Sequence, residues 1–386
     1  MKLSKKVINM DGSGIRKIAD LSLKYNDKIT FTIGEPDFTA SEEVVEEAYK
    51  AIKAGKTKYT SNEGIIELRE AICKDLELEL GIKYDPYSEI IVTVGGMGSL
   101  YTAFLAILDK GDEVIVSNPY WSNYTDIIEM CNGIPVLVDV KEEDGFIYDP
   151  QNIKEAISKK TKAIIINSPA NPTGGVASKE TLKEISDICK EHNLIVISDE
   201  VYRSIIFDGY KHVSIATMEG MKERTVVINS FSKEYAMTGW RLGYSAAPAT
   251  LIKAMCKLQE NIVGCAVEAN QYAGVKALQS AKNYSRSMTY EYEKRRNYIL
   301  DRIENINKIS CIKPKGAFYA FINIKKTGLS SEEFAIKLLK EKQVVVVPGN
   351  AFGSLGEGYI RLSFATSMEN IKEGLDRIEE FIENLQ

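Results

Sequence analysis

A lysine in a segment of unusual composition is the residue best placed for covalent chemistry. Lys233 follows the short apolar run 225–229, with Ser230 and Ser232 before it and Arg241 eight residues further on. Most lysines are solvated, but a lysine at the carboxyl end of a buried strand lies where open parallel sheets bind ligands. Burial and a neighbouring cation would lower its pKa and free the amine as a nucleophile. The pattern predicts a lysine that forms a Schiff base with a carbonyl cofactor.

Two further ionisable residues lie in apolar surroundings. Asp199 ends the run 194–198, where an unpaired carboxylate would be costly to bury. It is either paired with a cation or the N-cap of the next helix. Arg361 interrupts the apolar run 359–364 and, if it points inward, must find a partner. Both residues therefore predict a site that receives charged groups.

A glycine cluster lies between a predicted strand over 90–94 and a helical stretch over 99–108. Glycines at that junction let backbone amides approach an anion at a helix N-terminus. A dinucleotide fingerprint does not fit, because its third glycine position holds Tyr101. The cluster predicts an anion-binding loop.

The elements that must position these residues are short apolar runs, rich in β-branched residues and nearly free of charge. Strands covered on both faces have this composition, and helical patterns separate several of the runs. The sequence predicts an α/β fold with a doubly wound, mostly parallel seven-stranded sheet covered by helices. The predicted strands are 90–94, 113–117, 135–140, 163–167, 194–198, 225–229 and 242–246.

The character of the chain changes after about residue 280. A long charged helical stretch over 283–307 precedes alternating strand and helix patterns, which predict a smaller α+β domain. The first 40 or so residues fit neither pattern and are expected to run as an arm. We expect an N-terminal arm over 1–40, a large cofactor-binding domain over 41–282 and a small domain over 283–386, to which the arm also contributes.

Composition excludes several classes of function for this chain of 386 residues. Its net charge of -5 disfavours a nucleic-acid partner, and no apolar run approaches the roughly 18 residues needed to span a membrane. The N-terminus lacks the apolar core of a signal peptide, so a cytoplasmic location is expected. The histidines are His192 and His212, both expected at the surface, and the cysteines are scattered, so no metal site is expected.

In their order along essentially the whole chain, these motifs resemble the class I aminotransferases, pyridoxal-phosphate enzymes of the aspartate aminotransferase fold. The resemblance implies that Lys233 binds pyridoxal 5'-phosphate covalently and moves the substrate proton. It implies that Asp199 pairs with the protonated ring nitrogen, which makes the ring an electron sink. Tyr202 and Asn171, in the tetrapeptide NPTG, would hydrogen-bond the ring hydroxyl oxygen.

The resemblance also assigns the phosphate group of the cofactor. The amides of Gly96 and Met97 and the side chains of Ser230 and Arg241 would form a phosphate cup. Tyr59 matches the tyrosine that reaches the phosphate of the neighbouring subunit. A homodimer with shared active sites is therefore expected.

Residues for the substrate are assigned in the same way. Arg361 would hold the α-carboxylate of the substrate as a fork, and Gly34 would approach the substrate. Trp121 would stack on the cofactor ring, and both Trp121 and Asn171 would also contact the substrate.

The expected reaction transfers an α-amino group from an L-amino acid to a 2-oxo acid, with 2-oxoglutarate and glutamate as one pair and ping-pong kinetics. One fold hosts several reactions, so a pyridoxal-phosphate-dependent C–S lyase or other carbanion chemistry is the alternative. A non-catalytic domain that only senses a ligand is less favoured. Regulators of that kind carry a DNA-binding module, and the sequence shows no helix-turn-helix pattern.

The amino donor stays open between aspartate, aromatic amino acids and an N-acetyl-diaminopimelate-like substrate. One branch of aspartate aminotransferases binds the side-chain carboxylate with a lysine where this chain has Met97. Another branch uses an arginine of the partner subunit, and the corresponding stretch 261–269 contains no Lys or Arg. Arg16 and Lys17 are the remaining candidate cations.

Overall fold

The computed structural model describes residues 3–4, 7–8 and 14–385, and for Ile15 and Arg16 it describes the backbone alone. Short 3-10 turns occur at Ile215–Thr217, Lys222–Arg224, Thr238–Trp240, Lys325–Thr327, Gly349–Phe352 and Ser354–Gly356. The α-helices are α1 Gly14–Ser22, α2 Glu42–Lys53, α3 Ile66–Leu80, α4 Gly95–Ile107, α5 Asn123–Met130, α6 Pro150–Ala156, α7 Lys179–Glu191, α8 Phe231–Glu234, α9 Ala249–Ile262, α10 Glu268–Ser280, α11 Lys282–Glu304, α12 Ser331–Lys342 and α13 Met368–Glu383.

The strands form a seven-stranded, a four-stranded and a two-stranded sheet. They are β1 Ile29–Thr30, β2 Ile90–Thr93, β3 Glu113–Asn118, β4 Ile134–Asp139, β5 Thr161–Asn167, β6 Ile195–Asp199, β7 Thr225–Ser230, β8 Gly243–Ala246, β9 Ser310–Cys311, β10 Tyr319–Asn323, β11 Val344–Val345, β12 Val347–Pro348 and β13 Tyr359–Ser363.

The seven-stranded sheet contains all seven strands predicted from the apolar runs. Its order is β2-β8-β7-β6-β5-β3-β4. Strands β4, β3, β5, β6 and β7 are parallel neighbours, whereas β8 runs antiparallel to both β2 and β7. The prediction of a mostly parallel α/β sheet is confirmed.

Residues on both faces of this sheet are buried. Val92 and Val227 belong to a core under helices α3 and α10, and Ile91 and Ile228 belong to one under α4 and α9. Apart from the edge strand β4, where Ile134 and Leu137 are exposed, the strands are mostly buried because helices cover both faces. This explains why their sequences do not alternate between polar and apolar residues.

This topology brings separate loops to one edge of the sheet. The carboxyl ends of β2, β3, β5, β6 and β7 meet there, and β8 begins there because it runs antiparallel. In open α/β sheets the crevice at this edge is where ligands bind.

The C-terminal third contains the four-stranded antiparallel sheet, in the order β12-β13-β10-β9. Strand β1 of the N-terminal segment pairs in parallel with β11. Ile18, Ile29 and Phe31 share a core with Phe334 and Phe381, so these residues of the predicted arm pack into this unit. The boundaries near residues 40 and 282 stay predictions.

Within the described residues, no helix is both long enough and apolar enough to cross a membrane.

Phe31 ties the N-terminal segment to the C-terminal unit. Its side chain is 1% exposed, and the backbone of Phe31 pairs with both Val345 and Ser363. We expect Phe31→Ala to lower the free energy of unfolding by about 3–5 kcal/mol, because it leaves a cavity in this core. Urea unfolding measures the change. Leu23→Ala is the control, since Leu23 is 72% exposed, and an equal loss in both variants would contradict the argument.

Candidate active site

A cavity of about 550 Å³ opens at the carboxyl edge of the seven-stranded sheet. The predicted site residues converge on it from loops far apart in the sequence, and Tyr59 is the exception. Those that line it are Gly34, Gly96, Met97, Trp121, Asn171, Asp199, Tyr202, Ser230, Lys233, Arg241 and Arg361.

Lys233 lies in the single turn of α8, directly after strand β7, with Ser230 as the N-cap of that turn. Its Nζ donates a hydrogen bond to the backbone oxygen of Gly34. Enclosure away from bulk water lowers the pKa of Lys233 to about 8, and the positive charges of Arg361 and Arg241 act in the same direction. The neutral form of this amine is therefore far more populated near neutral pH than that of an exposed lysine.

Asp199 ends strand β6 and is 3% exposed. Tyr124 Oη donates a hydrogen bond of 2.6 Å to its Oδ2, and the backbone N–H of Val201 donates one of 3.3 Å to its Oδ1. Burial raises the pKa of Asp199 to about 6, although the hydrogen bond from Tyr124 opposes this. In the described part of the chain its hydrogen-bond partners are uncharged, so the carboxylate lacks a paired cation.

Tyr202 and Tyr319 form a buried pair of phenols beside this carboxylate. Their hydroxyl oxygens lie 2.8 Å apart, and the rings meet edge to face at 5.8 Å. Burial raises the pKa of Tyr202 well above its usual value. Both rings therefore supply neutral hydroxyl groups that are able to donate as well as accept hydrogen bonds.

Arg361, on strand β13, reaches the cavity from the four-stranded sheet and is 2% exposed. Its Nη1 donates to Asn171 Oδ1 at 2.9 Å and its Nη2 to the backbone oxygen of Thr32 at 2.7 Å. The guanidinium lies 4.4 Å from the ring centroid of Tyr319, and its Nε has no hydrogen-bond partner among the residues that the structure describes. Burial lowers the pKa of Arg361, because a charged group without a carboxylate is poorly stabilised there.

One end of the cavity is formed by the glycine loop and residues around β8. Gly95 has φ of +68°, and a Cβ at this position would lie 2.5 Å from Arg241 Nη2. Arg241 donates through Nη1 to the backbone oxygen of Thr238 and is exposed, so its fork remains accessible. Ser230 Oγ donates to Ser232 Oγ at 2.9 Å. Amides, hydroxyls and a guanidinium thus converge, as an anion requires.

Larger side chains also line the cavity. Trp121 packs edge to face on Tyr124 at 5.3 Å, and Met97 Sδ lies 4.0 Å from Asn123 Nδ2. The lysine and arginine residues that line the cavity are Lys233, Arg241 and Arg361.

Some predicted residues lie elsewhere. Tyr59 is 93% exposed and does not line the cavity of its own chain. Lys17 forms an exposed ion pair with Glu332 at 3.0 Å and lines a different cavity. The side chain of Arg16 lies outside the described residues.

The expectation of a surface position for His212 is wrong, because its side chain is 6% exposed and its Nε2 lies 2.9 Å from Glu200.

Sequence reasoning missed Tyr124, Tyr319 and Thr32, which contact Asp199, Tyr202 and Arg361. Tyr124 follows strand β3 and is therefore at the ligand edge, a signal that the sequence does contain. Thr32 contributes a backbone oxygen, for which no side-chain pattern exists.

An enclosed lysine, a buried carboxylate and a buried arginine at the carboxyl edge of a mostly parallel sheet define the protein's class. It is an α/β protein whose cavity offers an amine of lowered pKa and a buried guanidinium able to hold a carboxylate.

The family model described as "Aminotransferase class I and II" matches residues 26–378. The chain is 44% identical to the aspartate aminotransferase of Pyrococcus abyssi, over 99% of this chain and 98% of that protein. It is 42% identical, with the same coverage, to aromatic-amino-acid aminotransferase 2 of Thermococcus litoralis. The crystal structure of an aromatic aminotransferase from Pyrococcus horikoshii superposes with a TM-score of 0.91 at 43% identity, covering 95% of this chain and 98% of that one. The chain belongs to the class I and II aminotransferase family.

The protein is therefore an aminotransferase, as the motif order predicted. The alternative of a C–S lyase is not favoured by these relatives. The family implies pyridoxal phosphate as the cofactor.

The hydrogen bond from Tyr124 is the interaction that most directly holds the Asp199 carboxylate ionised. Tyr124→Phe removes it, so the pKa of Asp199 should rise above about 6, by the equivalent of about 1.5 kcal/mol for a bond to a charged group. Carboxyl carbon NMR titration of the cofactor-free protein measures this pKa. Tyr120→Phe, in the same loop but lining another cavity, should leave it unchanged. A pKa unaltered in Tyr124→Phe would remove Tyr124 from the site.

Proposed function

We propose that this cavity binds pyridoxal 5'-phosphate and transfers the α-amino group of an L-amino acid to a 2-oxo acid. One observation carries the proposal: the same cavity contains Lys233, an amine of lowered pKa, and Asp199, a buried carboxylate that lacks a paired cation. Both features cost stability in a protein without a ligand and are typical of functional sites.

The residues fit the cofactor in its chemistry. Asp199 would receive the protonated ring nitrogen, the missing cation of a buried carboxylate. Asn171 and Tyr202 would hold the ring hydroxyl oxygen, and Trp121 would pack on the ring. When bound, the cofactor supplies an electron sink for the carbon from which the proton is removed.

The phosphate would be held at the end where the glycine loop lies. Backbone amides of Gly96 and Met97, the hydroxyl of Ser230 and the fork of Arg241 would supply the donors. Gly95 has a φ of +68°, which L side chains rarely adopt, and this explains the glycine there.

Lys233 has the properties needed for moving a proton. Its amine accepts a proton when neutral and returns it when charged, and a pKa near 8 makes both states accessible at physiological pH. The hydrogen bond to the backbone oxygen of Gly34 orients the amine toward the cavity.

Arg361 would bind the substrate α-carboxylate. Its Nη1 and Nη2 already have neutral partners, Asn171 and the backbone of Thr32, and its Nε has none. A carboxylate would therefore supply the charge that the buried guanidinium lacks.

We also propose that the enzyme acts as a homodimer in which Tyr59 completes the phosphate site of the neighbouring copy. Tyr59 is 93% exposed and lies outside the cavity of its own chain, so its side chain is accessible to a neighbouring copy, which supports this assignment.

Covalent attachment at Lys233 is the direct test of the cofactor assignment. Borohydride reduction of the protein incubated with pyridoxal phosphate should label Lys233, as peptide mapping detects. The rate of attachment should rise with pH through about 8, because the neutral amine is the reactive form. Lys233→Ala should abolish both the label and turnover, whereas Lys294→Ala, at an exposed lysine, should change neither.

A label on another lysine would contradict the assignment of Lys233. A pH profile centred near 10.5, the ordinary value for lysine, would show that the cavity does not activate the amine.

A further point concerns which amino acid donates the amino group. A side-chain carboxylate taken into the cavity needs a paired cation. Arg361 and Arg241 are assigned to other groups, and Met97 offers an apolar, adaptable surface. The relatives' names include aspartate, aromatic-amino-acid and N-acetyl-LL-diaminopimelate aminotransferases, which supports more than one side chain being admitted on this scaffold.

We therefore expect aspartate not to be the exclusive donor. The kcat/KM for aspartate should be less than about 100 times the highest value found among phenylalanine, tyrosine and a long-chain diamino acid. This limit corresponds to about 2.7 kcal/mol in transition-state binding. Met97→Lys should raise this ratio by adding a cation, and Met97→Leu should not. A parent enzyme with a larger preference for aspartate would refute the expectation, and Lys17 would then be substituted next.

A further inference from the structure

Tyr319 is a residue of the active-site cavity to which the proposed function gives no role. It begins strand β10, is 1% exposed and lines the cavity. Its hydroxyl contacts Tyr202, the proposed partner of the ring hydroxyl oxygen, and its ring contacts Arg361, the proposed partner of the substrate carboxylate. A side chain in contact with both residues is placed to influence them.

The pairing of β10 with β13 places Tyr319 beside Arg361. The two strands are antiparallel, with Phe321 opposite Arg361 and Tyr319 opposite Ser363. Tyr319 is two residues from Phe321, so it lies on the same face of the sheet as Arg361, as its diagonal neighbour. The guanidinium lies 4.4 Å from the centroid of the Tyr319 ring, a favourable position for a cation.

The hydroxyl of Tyr319 is held on two sides. Its Oη lies 2.8 Å from Tyr202 Oη, and the two rings meet edge to face. On another side is Gly34, where an added Cβ would overlap with Tyr319 Oη. The absence of a side chain at Gly34 therefore leaves room for this hydroxyl beside Tyr202.

The direction of the hydrogen bond between the two phenols decides what Tyr202 has left to offer. A phenol carries one proton, so a Tyr202 that donates to Tyr319 has none for the cofactor. If Tyr319 donates instead, Tyr202 accepts that bond and keeps its own proton for another oxygen.

The surrounding charges favour Tyr319 as the donor. Burial raises the pKa of Tyr202 well above its usual value, and the negative charge of Asp199 acts in the same direction. Burial also raises the pKa of Tyr319, but there the positive charge of Arg361 is the chief opposing influence. Tyr319 is therefore the more acidic phenol, and the more acidic hydroxyl is the better hydrogen-bond donor.

We infer that Tyr319 is a positioning residue, whose hydroxyl donates to Tyr202 Oη and thereby directs the single proton of Tyr202 to the ring hydroxyl oxygen of the cofactor. The inference rests on the proposed function, since it concerns the same bound cofactor. Accepting this bond also makes Tyr202 a stronger donor, because hydrogen bonds in a chain polarise one another. Tyr319 acts through Tyr202 and needs no contact of its own with the cofactor.

The visible absorbance of the protein loaded with pyridoxal phosphate, recorded against pH, tests this inference. The bound cofactor that has lost its proton carries more uncompensated negative charge on the ring hydroxyl oxygen, and a donor stabilises that charge. Tyr319→Phe weakens Tyr202 as a donor, so the midpoint of the titration should rise by about 0.5 pH unit. Tyr359→Phe is the control and should leave the midpoint unchanged. It removes a buried hydroxyl from the same face of the same sheet, but one that donates to Glu142 at 2.8 Å, outside the cavity.

A double variant shows whether Tyr319 acts through Tyr202. Tyr202→Phe should raise the midpoint further than Tyr319→Phe does, and Tyr202→Phe/Tyr319→Phe should agree with Tyr202→Phe within about 0.2 pH unit. Additive shifts, or a midpoint that is unchanged or lowered in Tyr319→Phe, would overturn the inference and leave the proposed function intact. A parent protein that binds no pyridoxal phosphate would overturn the proposed function, and this inference with it.

The position of the Tyr319 hydroxyl is tested without cofactor. A methyl group at residue 34 overlaps with that hydroxyl, which Tyr319→Phe removes. Gly34→Ala should therefore lower the urea midpoint of the full-length, cofactor-free protein more in the parent than in the Tyr319→Phe background. Equal losses in the two backgrounds would show that the hydroxyl is not held against Gly34 and would overturn the inference.

Discussion

The placement of ionisable groups away from water, without direct pairing, is the constraint on which this structure depends. Asp199, Lys233 and Arg361 share one cavity, and burial moves the pKa of each toward its neutral form. Such an arrangement costs folding free energy, since each charge loses hydration that no opposite charge replaces. The surrounding protein must supply that energy.

The sheets and cores supply it and also fix the geometry. Strand ends of the seven-stranded sheet place Asp199 and Lys233, and the four-stranded sheet places Arg361. The N-terminal segment contributes the backbone oxygens of Thr32 and Gly34, held by the packing of Phe31. The cavity is therefore a joint product of three parts of the chain, and a change in any core that orients them would reach the site.

Charged residues next to the active-site cavity are paired with one another, unlike those inside the cavity. Asp75, Arg203, Glu234 and Lys282 form a buried network of ion pairs, next in sequence or in space to Tyr202 and Lys233. Paired charges of this kind hold segments in place, whereas the unpaired ones in the cavity remain available to a ligand. Residues adjacent in the chain thus have different roles, and the presence or absence of an oppositely charged side chain nearby decides which role each has.

The sequence by itself determined the seven strands of the main sheet and the residues that follow them, because buried strands have a local composition and parallel strands share a carboxyl edge. Motif order also identified Lys233, Asp199 and Arg361. Only the tertiary structure decided that Tyr124 donates to Asp199, that Thr32 offers its backbone oxygen to Arg361 and that His212 is buried against Glu200. These contacts join residues distant in the chain, or use backbone atoms common to every residue, and local sequence carries no mark of either.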